Sequence, residues 1–234
     1  MLQASIPFGA APLKTSAVFF DLDGTLTDSK AGITRSIQHA MSELGYMAPA
    51  ESELFWCIGP PLRNSFARLF ETTDDQLIDE ALRLYRERFS TVGLFENMLY
   101  EDVPEMLHAV RELGHPLYVV TAKPHVFATR IIDHFGLTRI FEKVYGSELD
   151  GIRSDKGDLI AHVLAEESLG PSRAVMIGDR EHDVIGSRRS DIQCIGVTYG
   201  YGTHTELSSC GATCIAATPQ AIPPLVRSLL GVRV

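Results

Sequence analysis

The stretch Ala17-Val18-Phe19-Phe20-Asp21-Leu22-Asp23-Gly24-Thr25-Leu26 decides the architecture, because an apolar run stops abruptly there at two carboxylates. Val18, Phe19 and Phe20 suit a strand buried on both faces, and Gly24 lets the backbone turn sharply after the second acid. In an open α/β sheet, ligands bind beyond the carboxyl ends of the strands, so acids delivered there face a crevice. The rest of the chain has to supply what two such acids need.

Working outward, residues 30 to 44 carry Ile33, Ile37, Ala40, Met41 and Leu44 at helical spacing, with Gly45 as a stop. Residues 52 to 58 and 62 to 70 read as short helical pieces split by Gly59-Pro60-Pro61. Residues 74 to 90 form a charged amphipathic helix with Leu77, Ala81, Leu84, Tyr85 and Phe89 on one stripe. No strand pattern appears between about 28 and 96, so residues 28–96 are expected to be an all-helical insertion.

From Val103 the pattern alternates. Helices are expected over 103–113, 125–135, 156–168, 181–190 and 204–209, with a last one from about 219; strands over 117–121, near Val144-Tyr145, and over 174–178, 194–198 and 213–216. Such alternation predicts an α/β fold, a Rossmann-like parallel sheet with helices on both faces, built from residues 1–27 and 97–234. Residues 1–14 read as a mobile extension.

Composition narrows the function classes. Of 234 residues, 45% are hydrophobic, ordinary for a globular protein, and 21 Lys and Arg face 30 Asp and Glu for a net charge of -9. That balance argues against nucleic acid polymers and anionic membranes as partners. Four cysteines without a Cys-x-x-Cys pair suit a reduced, cytoplasmic protein without a disulfide framework or structural zinc. The first fourteen residues lack a basic start and are interrupted by Pro7 and Pro12, so they do not read as a signal peptide, and no stretch reaches the roughly 18 apolar residues of a membrane span.

Taken alone, Asp-x-Asp-Gly is more often a turn than a site. An EF-hand loop fails on spacing, since counting from Asp21 puts Gly24 fourth and Gly32 twelfth where Gly should be sixth and Glu twelfth. The chemical alternative is a nucleophile, Asp21, and a general acid/base, Asp23, acting on a phosphoryl group. Two carboxylates about 4 Å apart repel by roughly 4 kcal/mol at an effective dielectric near 20, so a cation is required. Asp179 and Asp183 follow a second apolar run, Val175-Met176-Ile177-Gly178, four apart at a helix start. Acids at a helix N-terminus are favourable anyway, but Mg²⁺ fits the combined set of oxygen donors. His182 among them reads as a surface residue or as a support to the ligands, and not as a ligand to a hard ion.

Two later positions answer an anionic substrate. Thr121 ends a strand before a helix expected to hold Pro124 in its first turn, so its hydroxyl and the following N–H of Ala122 can cradle a phosphate. Lys156 stands at a helix start, where the dipole disfavours a cation unless an anion is to be met.

With those residues in order, the sequence resembles the haloacid dehalogenase-like superfamily of aspartate-nucleophile phosphatases, through "DLDGTLTDS" at 21–29, "VVTAK" at 119–123, Lys156 in "RSDKGDLI", and "IGDREHD" at 177–183. More narrowly, "GPPLRNSF", "VVTAKPHVFATRIIDHFGL" and "MIGDREHDVIGSRRS" look like its phosphoglycolate phosphatase subgroup. The resemblance implies Asp21 as nucleophile, Asp23 as acid/base, Thr121, Ala122 and Lys156 as phosphate binders, and Mg²⁺ held by Asp21, the Asp23 carbonyl and Asp179, with Asp183 in support. It makes residues 28–96 a helical cap that closes over a small-molecule phosphate ester. Arg63, after Gly59-Pro60-Pro61-Leu62, is a candidate for reading that substrate, and Phe55 and Trp56 are expected to pack the cap. "YEDV" at 100–103 and "RRSD" at 188–191 depart from the family's Pro-Gly and Asn-Gly pairs.

The expected function is therefore a Mg²⁺-dependent phosphatase for a small organic phosphate monoester, such as phosphoglycolate, a nucleotide or a sugar phosphate, working through an aspartyl-phosphate. A phosphomutase is the alternative with the same acids, against which Thr25 counts because the superfamily's sugar mutases carry Val there. A non-catalytic binding protein reusing the fold is the third reading.

Overall fold

The computed structural model describes residues 16–231. The expected extension over residues 1–14 lies outside them. Six strands form one parallel sheet: β1 (Ala17–Phe20), β4 (Leu117–Pro124), β5 (Lys143–Ser147), β6 (Ala174–Gly178), β7 (Gln193–Val197) and β8 (Cys214–Ala216), in spatial order β5-β4-β1-β6-β7-β8. Two-residue strands β2 (Thr27–Asp28) and β3 (Met98–Leu99) pair antiparallel outside it.

Period-two alternation in β1 sends Val18 and Phe20 to one face and Ala17 and Phe19 to the other, and all four are fully buried. On the first face lie α4 (Val103–Arg111), α5 (His125–His134) and α9 (Ile222–Leu230), whose Leu107, Ile131 and Val226 join Val18 and Phe20. The second face holds α6 (Lys156–Glu166), α7 (Glu181–Arg189) and α8 (His204–Cys210), with Ile160, Val163, Val184 and Leu207 packed on Phe19 and Tyr118. Burying a side chain such as Phe19 is worth about 1.5–3 kcal/mol, so a strand apolar on both faces has no stable place but the middle of a sheet.

Between β2 and β3 the chain is helical: α1 (Lys30–Glu43), a 3₁₀ turn over Glu51–Cys57, α2 (Leu62–Leu69), α3 (Asp75–Thr91) and a 3₁₀ turn over Gly93–Phe95. The first of these turns stands where the sequence suggests a short helical piece. This block carries its own aromatic stack, Phe66 against Phe70 and Tyr85 against Phe89, and its core is continuous with the first face of the sheet. Trp56 packs under the Arg68 guanidinium, while Phe55 is exposed.

Several expectations shift at element ends. Pro124 closes β4 in extended backbone instead of lying inside α5, because the strand continues past an irregularity between Thr121 and Pro124, three residues beyond its expected end. The final helix starts at Ile222 after a 3₁₀ turn at Pro219–Ala221. At the two departures from the family pattern, Asp102 (φ 66°) and Asp191 (φ 54°) hold the left-handed backbone that Gly would adopt at no cost. Asp is among the few residues that tolerate it.

Where the helical block rejoins the sheet, Glu96 accepts from Arg88 on α3 at 2.8 Å and from Arg35 on α1 at 3.2 Å. The Arg88 hydrogen bond holds its carboxyl below the usual range, with Arg35 adding to it and burial opposing. A depressed carboxyl contributes stability that is present above its unfolded value near 4.5 and lost as pH falls through its folded value. Glu96→Gln should therefore lower the urea midpoint at pH 7, and the difference from wild type should vanish as the pH is brought down through the carboxylate range.

Candidate active site

Four segments end at one edge of the sheet. β1 delivers Asp21 and Asp23, β4 delivers Thr121 to Lys123, α6 begins with Lys156, and the β6–α7 junction holds Asp179 and Asp183. Asp21 continues the sheet ladder, its N–H donating to the Ile177 carbonyl at 2.9 Å. The chain then reverses through Gly24, whose N–H donates to Thr27 at 2.8 Å and whose φ is +81°. A Cβ on Gly24 would fall on the Asp179 carboxylate, so the turn and the second acid segment approach as closely as backbone allows.

Asp21, Asp179 and Asp183 are buried, and each offers an oxygen within 4.8 Å of the others. Lys156 lies in their midst. Its Nζ is 3.0 Å from Asp21 Oδ1 and 2.8 Å from Asp183 Oδ1, and it donates to the Val120 carbonyl at 3.0 Å. Burial works against that ammonium, but the Asp183 and Asp21 charges outweigh it and hold the group above its ordinary value. Asp183 also caps α7, accepting from the Arg180 N–H at 3.1 Å. Asp179 Oδ2 accepts from the Tyr201 N–H at 2.8 Å, while its buried Oδ1 has no hydrogen-bond partner. Burial first, then the charges of Asp183 and Asp21, push the Asp179 carboxyl well above the usual range.

That orphaned oxygen, in a set of three carboxylates about one point, is what a small hard cation satisfies: oxygen donors only, and more negative charge than one lysine offsets. The residues present fit Mg²⁺.

A cavity of about 720 Å³ opens between this edge and the helical block. Asp21, Asp23, Thr121, Ala122 and Lys123 line its floor, and Arg63, Asn64, Asp79 and Arg86 its far wall. Lys156, Asp179 and Asp183 stand behind Asp21. Lys156, expected to bind phosphate, holds its ammonium against the Asp21 and Asp183 carboxylates, beside the proposed nucleophile. Thr121 is 2% exposed, and its Oγ1 accepts from the Lys123 N–H at 3.3 Å. Arg63 is paired with Asp75 at 2.8 Å and with Asp79. Arg86, by contrast, donates to the Leu149 carbonyl at 2.6 Å.

Three residues escaped the sequence reading. Lys123 pairs with Asp23 at 2.9 Å. Arg180 bridges the two halves of the molecule, donating to the Ile58 carbonyl at 2.5 Å and to Glu206 at 2.9 Å. Tyr201 joins the acid site to the β2 ribbon, its phenol donating to Asp28 at 2.9 Å and accepting from the Ser29 N–H at 2.9 Å. None of the three carries a local signal in the sequence, since each owes its place to partners distant along the chain.

The sequence model of one family, haloacid dehalogenase-like hydrolase, matches residues 18–197. The chain belongs to that family. Among its relatives, a 5'-nucleotidase of Pseudomonas aeruginosa is 44% identical, the match covering 93% of this hydrolase and 98% of that protein. The tyrosine-protein kinase PtkA of Mycobacterium tuberculosis is 36% identical, over 98% of the hydrolase and 76% of that chain. The crystal structure of a predicted phosphatase from Clostridium acetobutylicum superposes with a TM-score of 0.88 at 37% identity, covering 92% of the hydrolase and 99% of its own chain. The hydrolase is an enzyme of the phosphatase class. Its parallel sheet with helices on both faces is as expected from the sequence. Among the described residues, no helix is long and apolar enough to cross a membrane.

Proposed function

We propose that the hydrolase is a Mg²⁺-dependent phosphatase that releases phosphate from a small monoester through an aspartyl-phosphate on Asp21. The observation carrying this reading is the pair Asp21 and Asp23 at the end of β1, both on the cavity floor, with Asp21 also facing the acid cluster and Asp23 facing Lys123. A nucleoside 5'-monophosphate is the favoured substrate, supported by the 5'-nucleotidase that matches along almost its whole length. The cavity falls in the range of small-ligand sites.

An Asp21 oxygen attacks phosphorus; the bond from phosphorus to the ester oxygen breaks, and that oxygen leaves with the electron pair and takes a proton from Asp23. Water then attacks the aspartyl-phosphate, giving a proton to Asp23, while the bond from phosphorus to Asp21 breaks and returns its electron pair to the carboxylate. Thr121 Oγ1 and the Ala122 N–H orient the phosphoryl group. Asp21, Asp179 and the Asp23 carbonyl would hold Mg²⁺, with Asp183 steadying the cluster. When bound, the ion supplies positive charge against the phosphate oxygens.

Residues 28–96 serve as a cap over the parallel-sheet core, excluding water when closed, and Arg63 and Arg86 lie where the leaving group would project. The test is phosphate release from a panel of nucleoside 5'-monophosphates, phosphoglycolate and sugar phosphates. Release with Mg²⁺, abolished by EDTA and restored by added Mg²⁺, is the expected result. Release unchanged by EDTA overturns the metal assignment, no release from any ester overturns the activity, and an isomerised sugar phosphate in place of free phosphate replaces the reading with a phosphomutase.

A further inference from the structure

Lys123 occupies a place that solvation cannot explain. Its side chain is 5% exposed, although an ammonium on a strand end can ordinarily reach water. Asp23 Oδ2 lies 2.9 Å from Nζ on one side, and the Phe89 ring of α3 lies 4.6 Å from it on the other. The ring is fixed in turn, stacked on Tyr85 at 5.3 Å and edge-on to Phe127 at 5.4 Å. At the backbone, the Lys123 N–H donates to Thr121 Oγ1, and a Cβ on Gly146 would strike the Lys123 carbonyl, so neither end of the residue has room to move. Burying an ammonium costs several kcal/mol unless a charge and a polarisable face replace its water. Both are present, and both line the cavity.

The pairing has a geometric consequence for Asp23. With Oδ2 held by Lys123, the other oxygen, Oδ1, is buried without a hydrogen-bond partner. A carboxylate free to rotate about its χ2 bond could offer either oxygen at any angle; this one is fixed with one oxygen engaged and one unengaged.

We propose that Lys123 is the positioning residue for Asp23 in this hydrolase, fixing its carboxylate so that Oδ1 meets the departing ester oxygen. The proposal rests on the phosphatase reading above. In the step it serves, the ester oxygen leaves phosphorus with the bonding electron pair and receives the proton from Asp23 Oδ1, while Lys123 keeps its own protons and holds Oδ2.

A residue that acts through proton delivery matters in proportion to the leaving group's need for a proton. An alkoxide leaving from a nucleoside 5'-monophosphate needs one, and a p-nitrophenolate does not. The kcat/KM value reports steps up to departure of the alcohol, whereas kcat also includes hydrolysis of the aspartyl-phosphate common to both esters. Lys123→Met and Lys123→Gln should each lower kcat/KM for the nucleotide by about 100-fold, but for p-nitrophenyl phosphate by less than about threefold, so the ratio between the esters rises at least about 30-fold. Both values come from one preparation, so the ratio is unaffected by any unfolded fraction. A ratio equal to that of the wild type overturns the proposal, whether activity fell equally on both esters, as a purely structural lysine would cause, or did not fall. If the wild type itself hydrolyses neither ester, the phosphatase reading fails, and this assignment with it.

Discussion

Asp21→Asn should reduce phosphate release by at least about 10⁴-fold while leaving the protein folded, because an amide oxygen cannot form and then surrender the acyl-phosphate bond. The fold should survive because what ties this residue to the sheet is backbone, the N–H to Ile177 bond, and Asn preserves it. Stability should even rise without Mg²⁺. Asp21 raises the carboxyls of Asp179 and Asp183 by repulsion, and the substitution removes that charge. The check is phosphate release alongside a thermal melt in EDTA: near-normal turnover would overturn the nucleophile assignment, and a collapsed melt would show that Asp21 holds the fold.

Lys156→Met should have the opposite balance, with a large loss of stability accompanying the loss of activity. Its ammonium is 4% exposed and lies between Asp21 and Asp183, so removing it leaves buried carboxylates without their countercharge, at a cost of about 3–5 kcal/mol. For a chain of this size that corresponds to a drop in Tm of about 6–20 °C. Mg²⁺ should recover part of the loss, because it meets the same oxygens. Urea titrations of both proteins, with Mg²⁺ and with EDTA, measure this, and a variant as stable as wild type in EDTA would mean that the lysine does not offset the acid cluster.

These two outcomes trace back to what the sequence could and could not disclose. Asp21 and Asp179 were legible because each follows a run of side chains that only a central strand can bury, which fixes both the element and the edge at which it ends. The partners across that edge were not legible. Lys123 and Asp23 are 100 positions apart, and nothing local to either distinguishes a buried ion pair from a solvated turn. Lys156 was found for its odd place at a helix start, yet its main partners, Asp21 and Asp183, depend on how three strands and a helix converge. Strands β2 and β3 were invisible, since two residues each cannot show a period. Asp102 and Asp191 show the converse case: the family pattern asked for Gly, and the backbone there keeps the conformation that Gly would have supplied.

The β2–β3 ribbon also bears on how the chain reaches its native topology. Strands β1 and β4 are sheet neighbours separated by roughly 100 residues of sequence, a long loop to close before any pairing is gained. When the intervening helices collapse on their own aromatic stack, the ribbon brings Asp28 beside Met98 and leaves only about a quarter of that length still to be closed. Once the ribbon is closed, parallel pairing at the centre of the sheet carries a smaller loop-closure cost, because far less chain then separates the two strands.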